Sequence, residues 1–229
     1  MNEGSWRDTV ITRIALVLLI GAITCSQAGC SLFVMAGKMI FGDIKQPAPF
    51  RTATKIDIIK EGKKVIVVCS TPHAIKAQFP ALEIDLLEQI ARDLKGHGVM
   101  VVNPDEVAKW MDDHGGFNDD PQELAEHFDA DLIIHADLSK FSYLEENSPT
   151  LFRGRANGDV RVYEVVEGKN EAKRVRQIFV SEYVSVYPPQ YPVSQQNMSE
   201  ATFRKRYLDQ VSAQISRMFY DYRSSDEID

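Results

Sequence analysis

The chain predicts an α/β (α+β) fold: a mixed β-sheet with an early βαβ part, an antiparallel three-strand meander and a long C-terminal helix. Three observations predict it. Two short β-branched runs, "KKVIVVCS" at 63–70 and "VMVV" at 99–102, bracket a segment of helical spacing. Three long runs of strand character follow, between Asp129 and Pro189. The last stretch returns to a four-residue apolar period.

The elements follow in chain order. "KKVIVVCS" reads as a buried strand, in which Cys69 is a small apolar residue. In "PALEIDLLEQIARDLKGHG" the apolar positions Leu82, Leu86, Leu87, Ile90, Ala91 and Leu94 share one helix face, and Gly96 and Gly98 end it. Asn103 and Asp120 each precede a proline and lie three residues before a glutamate, the signature of a capped helix start. From Asp131 the period changes. "DADLIIHADLSKFSYLEE", "LFRGRANGDVRVYEVVEG" and "AKRVRQIFVSEYVSVYPP" read as three strands, with a bulge expected near Ile178. The polar turn "EGKNEAK" makes the last two an antiparallel hairpin. Phe203, Tyr207, Val211, Ile215 and Phe219 then form the core stripe of the closing helix.

Composition narrows the function classes. With 44% hydrophobic and 26% charged residues in 229, the chain suits one globular domain with an appendage. A formal net charge of −7 argues against a nucleic-acid partner. The basic clusters "KRVR" at 173–176 and "RKR" at 204–206 read as solvated faces.

The amino terminus carries the strongest functional signal. Arg7 and Arg13 precede "IALVLLIGAIT", an uncharged run too short for the ~20 residues that cross a bilayer. Ser26-Gln27 follow, then Ala28-Gly29-Cys30. Small residues directly before a cysteine resemble the bacterial lipobox, which implies signal-peptidase recognition at Ala28 and Gly29 and lipidation at Cys30. Gln27 departs from the aliphatic residue usual there. Two or three acyl chains anchor a protein stably where one does not. The rival reading takes "SLFVMAGKMIFG" at 31–42 into one span from Ile14 to Phe41, an uncleaved anchor oriented by the two arginines. Both readings export the same domain.

The expected organisation is a signal peptide or signal anchor at 1–29, a membrane-proximal tether at 30–62, an α/β envelope domain at 63–222 and a disordered tail at 223–229. Pro47 and Pro49, with no helical period around them, suggest the tether.

Ala130-Asp131 opening a long strand after a helix, and the strand-turn-strand "GDVRVYEVVEGKNEAKRVRQ", resemble a bacterial envelope-lipoprotein superfamily. It includes the curli secretion channel lipoprotein, the lipoprotein activators of penicillin-binding proteins and the TolB amino-terminal domain. The resemblance, over about 63–222, implies an exported α/β domain with a lipid anchor and a role in binding or assembly. Arg153, Arg155, Arg161 and Glu164 in the hairpin depart from a membrane-inserting barrel strand, so pore formation is not implied.

No motif names a reaction. His73, His97, His114, His127 and His135 are scattered, without metal-ligand spacing. "DDHGGFNDD" at 112–120 lacks the D-x-D-x-D-G order of a calcium loop, and its Asp120 serves as a cap. Glu145 and Glu146 are adjacent carboxylates near a turn, and "YPPQYPV" at 187–193 reads as a rigid connection or an extended docking epitope. The expectation is therefore no catalytic residue, no metal and no cofactor. The expected partners are a membrane, reached through a lipid anchor or an N-terminal helix, and an envelope protein, with a homo-oligomer as a further option. The alternatives are an envelope hydrolase with an unrecognised site, or a structural subunit that self-associates through strand edges.

Overall fold

A computed structural model describes residues 45–117, 120–167 and 173–223. The expected leader at 1–29, with Ala28, Gly29 and Cys30, lies outside the described residues, as does the tail beyond Arg223. Gln46–Tyr222 belongs to one compact unit, and of the second unit only Lys45 and Arg223 are described.

The sheet carries the fold. Its strands are β1 (Lys64–Ser70), β2 (Met100–Val101), β3 (Leu132–Leu144), β4 (Leu151–Glu167) and β5 (Lys173–Tyr187), with a short β6 (Val193–Ser194). Their spatial order is β2-β1-β3-β4-β5, and β6 adds to β4. β1 runs parallel to both β2 and β3, whereas β3, β4 and β5 pair antiparallel in sequence. Parallel pairing in one half and a meander in the other make the mixed sheet that the sequence predicts.

The described residues also form the helices α1 (Pro49–Thr54), α2 (His73–Gln78), α3 (Leu82–Gly96), α4 (Pro104–Asp113), α5 (Pro121–His127) and α6 (Glu200–Ser216). Crossovers between parallel strands are right-handed, and the chain steps outward from β1 to β2 and then back to β3, so α3 lies on one face and α4–α5 on the other. α3 and α6 pack side by side, and their apolar stripes, including Leu86, Ile90, Phe203, Tyr207 and Val211, are buried. The two expected caps form, Asn103 accepting from Asp105 N at 3.2 Å and Asp120 from Gln122 N at 2.9 Å. The short α2 has no apolar stripe, and the sequence gives no signal for it.

The expected bulge is present. Along β5 the register passes from Phe179 opposite Val162 to Gln177 opposite Tyr163, leaving Ile178 as the extra residue. A second irregularity on β3, between Leu138 and Lys140, sits against Gly158. There a Cβ would stand 1.8 Å from the carbonyl oxygen of Asp137, so the strands close only over glycine. At Gly154 the obstacle is the ring of Tyr207, 2.5 Å from where a Cβ would be.

Residues 46–62, expected as the distal part of a tether, are folded. Phe50 and Ile58 are fully buried, and the Phe50 ring meets Phe179 and Phe219 at 5.5 and 5.6 Å. Asp221 holds the segment down, accepting from Ala48 N at 3.0 Å and pairing with Arg51 at 2.6 Å. Two isolated apolar residues show no period in sequence, but two aromatics brought from β5 and the end of α6 give Phe50 a place to bury about 2 kcal/mol of apolar surface.

Candidate functional site

Period-two alternation divides β4 between two environments. Phe152, Ala156, Val160 and Val162 point into the core, and Arg153, Arg155, Asn157, Asp159 and Arg161 point away from it. This outward side is a strongly polar sheet face, half-buried along β4, where Arg155 and Asp159 are 30% and 20% exposed, and open along β5 at Val180 and Val184.

Register places the charges in rows. Ser70, Asp137, Asp159 and Glu182 stand side by side across β1, β3, β4 and β5. The neighbouring row is Lys140, Asn157 and Val184, and beyond it lie Ser142, Arg155 and Val186. Like charges directly opposite on adjacent strands destabilise a sheet, so the carboxylate row needs compensation. Arg161 supplies it, with Nε 2.7 Å from Asp159 and Nη2 3.9 Å from Asp137. At the other end Glu145 bridges Arg155 at 2.5 Å and Arg153 at 3.3 Å, and Arg153 also donates to the Pro189 carbonyl at 3.0 Å. Hydrogen bonding from Arg155 above all, and also from Glu146 N and Arg153, holds the Glu145 carboxyl below the usual carboxylate range.

These two clusters are opposites. Arg153–Glu145–Arg155 has a surplus of positive charge, and Asp137–Arg161–Asp159 a surplus of negative charge. Lys140 adds to the first and Glu182 to the second, both exposed. Val184 between them is 68% exposed, and Val180 is 56% exposed.

Beside the acidic row lies a buried polar network. Ser70 Oγ donates to Asp137 Oδ1 at 3.0 Å and stands 2.7 Å from Nε2 of the fully buried His135, against whose ring Phe117 packs edge-on. A serine hydroxyl has one hydrogen. Here Asp137 bonds the serine, whereas in a Ser-His-Asp triad the carboxylate bonds and orients the histidine, so the order of the three groups differs from a triad's. Next to it the buried Glu83 is saturated by Thr71 N at 2.8 Å, Thr71 Oγ1 at 2.9 Å and Lys76 at 3.0 Å.

Two hollows are lined by described residues. One, about 380 Å³, lies between α3 and α6 and is walled by Asp85, Glu88, Arg92, Arg204 and Asp209. The other, about 220 Å³, lies by Lys76, Glu83, Met111 and Gly116. In both, the charged groups of opposite sign offset one another. Burial pushes the Cys69 thiol up, away from the reactive thiolate.

Other residues singled out from sequence fall apart in space. His97 stacks on Tyr220 at 3.6 Å and His114 on Trp110 at 4.2 Å. Among the described residues no group of three or more His, Cys, Asp or Glu is placed to hold a metal ion. Gly115 and Gly116 take positive φ as a helix stop, and Asn118-Asp119 lie outside the described residues. Glu146 does not join Glu145 in a carboxylate pair, because Glu145 turns to the arginines. Tyr191, in the proline-flanked connection, is 80% exposed. Among the described residues no helix is long and apolar enough to cross a membrane.

The two opposed clusters escape motif reading because each joins β4 to a residue on or just after β3. The signal for one half of them is present, since R-x-R-x-N-x-D-x-R at 153–161 puts five polar residues on one side of any strand.

No family model and no curated protein matches the chain, so the envelope families that its element order resembles stay a resemblance. Solved structures similar to it include lipoprotein GNA1162 from Neisseria meningitidis, at 13% identity, TM-score 0.37, covering 68% of this chain and 96% of that one. A PelC dodecamer from Paraburkholderia phytofirmans has 10% identity and TM-score 0.39 over 69% of this chain and 88% of that one. The hypothetical protein CT253 from Chlamydia trachomatis has 14% identity and TM-score 0.37 over 69% and 97%. At such scores the likeness carries no argument about what this chain does.

Proposed function

We propose that this chain is a membrane-anchored, exported domain serving as a non-enzymatic binding or assembly component of a bacterial cell envelope, with its lipid on Cys30. The observation that carries the reading is the uncharged run 14–24 followed by Ala28-Gly29-Cys30, set ahead of a domain that opens at Gln46. The charged face supports binding, because it offers a broad polar surface in place of a concave pocket.

The deciding experiment is metabolic labelling with an alkyne fatty acid, comparing the native chain with Cys30→Ala. Label on the native chain and none on the variant is expected. Equal labelling of both removes the lipid from Cys30. Loss of label without loss of membrane association would favour the uncleaved span from Ile14 to Phe41, which amino-terminal sequencing of the mature protein then separates from a cleaved one. The hydrolase alternative would place its chemistry at Ser70 and His135, where the hydrogen-bond order described above counts against it.

A further inference from the structure

We propose that the open face of the sheet is self-complementary and takes a second copy of this chain, packed face to face about a two-fold axis that crosses β4 at Asn157. The proposal does not depend on how the chain is anchored.

The acidic row, Asp137–Asp159–Glu182, and the basic cluster, Arg153–Glu145–Arg155, lie on the same face on opposite sides of the row that holds Asn157 and Val184. At about 3.3 Å per residue, Arg155 and Asp159 each stand about 7 Å from Asn157 along β4. An axis running across the strands through that row, in the plane between two facing sheets, lays β4 antiparallel over β4 of the second copy. Arg155 of each copy then meets Asp159 of the other, twice over, as isologous symmetry requires. Facing sheets sit about 10 Å apart, a gap that arginine side chains reaching from one side can bridge.

The residues on the axis suit a contact centre. Val184 is the most exposed valine of the sheet, at 68%, and would meet its own counterpart. Asn157 is uncharged. Lys140, on β3 in the same row, is exposed and can carry its ammonium outward to water on its flexible stem. A cationic peptide would satisfy the acidic row but leave the basic cluster facing it unmatched, and an anionic ligand would do the reverse. A partner carrying both signs in inverted order matches both, and this face is such a partner for itself in the Arg155 and Asp159 rows; Arg153, which the same axis brings over Arg161 of the second copy, keeps Glu145 beside it to offset the two cations.

The free edge of β5 is a poorer route to self-association. Ile178 bulges within it, Gln214 donates to the Val184 carbonyl at 2.9 Å and Gln122 to the Lys173 carbonyl at 2.7 Å.

The test uses the full chain in detergent with cysteine placed at Val184 or at Val180, treated with a short bis-maleimide. The native chain serves as the control for its own thiols. Val184→Cys, on the axis, is expected to give several-fold more covalent dimer than Val180→Cys, whose counterpart would be about 26 Å away. The yield should fall as salt is raised, since the contacts are ionic. Equal yields from the two positions, no dimer from either, or linkage of Val184→Cys to a different protein in whole envelopes would each overturn the proposal. As a second arm, Arg155→Glu should abolish the dimer and Arg155→Glu with Asp159→Arg should restore it. Failure of the pair to restore, with circular dichroism unchanged from native, would also overturn it.

Discussion

The two sides of β4 are built from the same eleven residues, 152–162, and answer to different rules. Inward, Phe152, Gly154, Ala156, Gly158, Val160 and Val162 are fixed by steric fit. Phe152 stacks on Phe203 at 4.9 Å, Gly154 lies under the Tyr207 ring, and Gly158 lies against a neighbouring carbonyl. Outward, Arg153, Arg155, Asn157, Asp159 and Arg161 are fixed by charge pairing in a half-wet setting. Stability resides in the inward side of β4 and tolerance of exchange in the outward side. A close-packed face loses energy with any change of volume, whereas a screened ionic face tolerates exchange.

That contrast can be broken most forcefully at Gly158. Gly158→Ala forces strands β3 and β4 apart, and a loss of about 3 kcal/mol or more is expected, read as a collapse of the urea midpoint. Next is Tyr207→Ala, which empties the space between Gly154 and Phe141 and should cost about 3–5 kcal/mol. Its companion, Gly154→Ala, should be destabilising alone and less so when combined with Tyr207→Ala, since the clash is with that ring.

On the outward side the effects are smaller and depend on pH. The folded state holds the Glu145 carboxyl low, so its contribution is present above the unfolded pKa and is lost as pH falls through the folded one. Glu145→Gln should therefore lower the thermal midpoint at neutral pH, and the difference should close in acid. Asp93, between α3 and α6, has the opposite sign. Burial raises its pKa, with Ser212 donating to it at 3.2 Å, so its charged form opposes folding as pH rises through the folded value. Asp93→Asn should then stabilise slightly at neutral pH and do nothing in acid, which paired thermal melts at the two pH values would check. The smallest change expected is at Val180→Thr on the open face, within about 0.5 kcal/mol.

Much of the fold was legible because it rests on local periods and caps. The stripe from Phe203 to Ile215, the caps Asn103 and Asp120, and the bulge at Ile178 all follow from short-range rules, whereas Phe219, expected on the same helix, is buried past its end at Ser216. α1 was not legible, because its reason is Phe50 reaching partners on β5 and after α6. The candidate site was half legible. The alternation at 153–161 marks a polar face, but the union of Glu145 with Arg153 and Arg155, or of Ser70, Asp137 and Arg161, depends on strand register. Register is a property of pairs of strands, so no single strand encodes it.

By itself the sequence determined an uncharged run followed by small residues and a cysteine, the two helix caps, and a helix with one apolar stripe, since each is set by neighbours a few residues apart. Tertiary structure alone decided that two clusters of opposite charge share one open face, and that His135 is hydrogen-bonded with Ser70. Those outcomes come from side chains brought together across strands, where distance in the chain says nothing about distance in space.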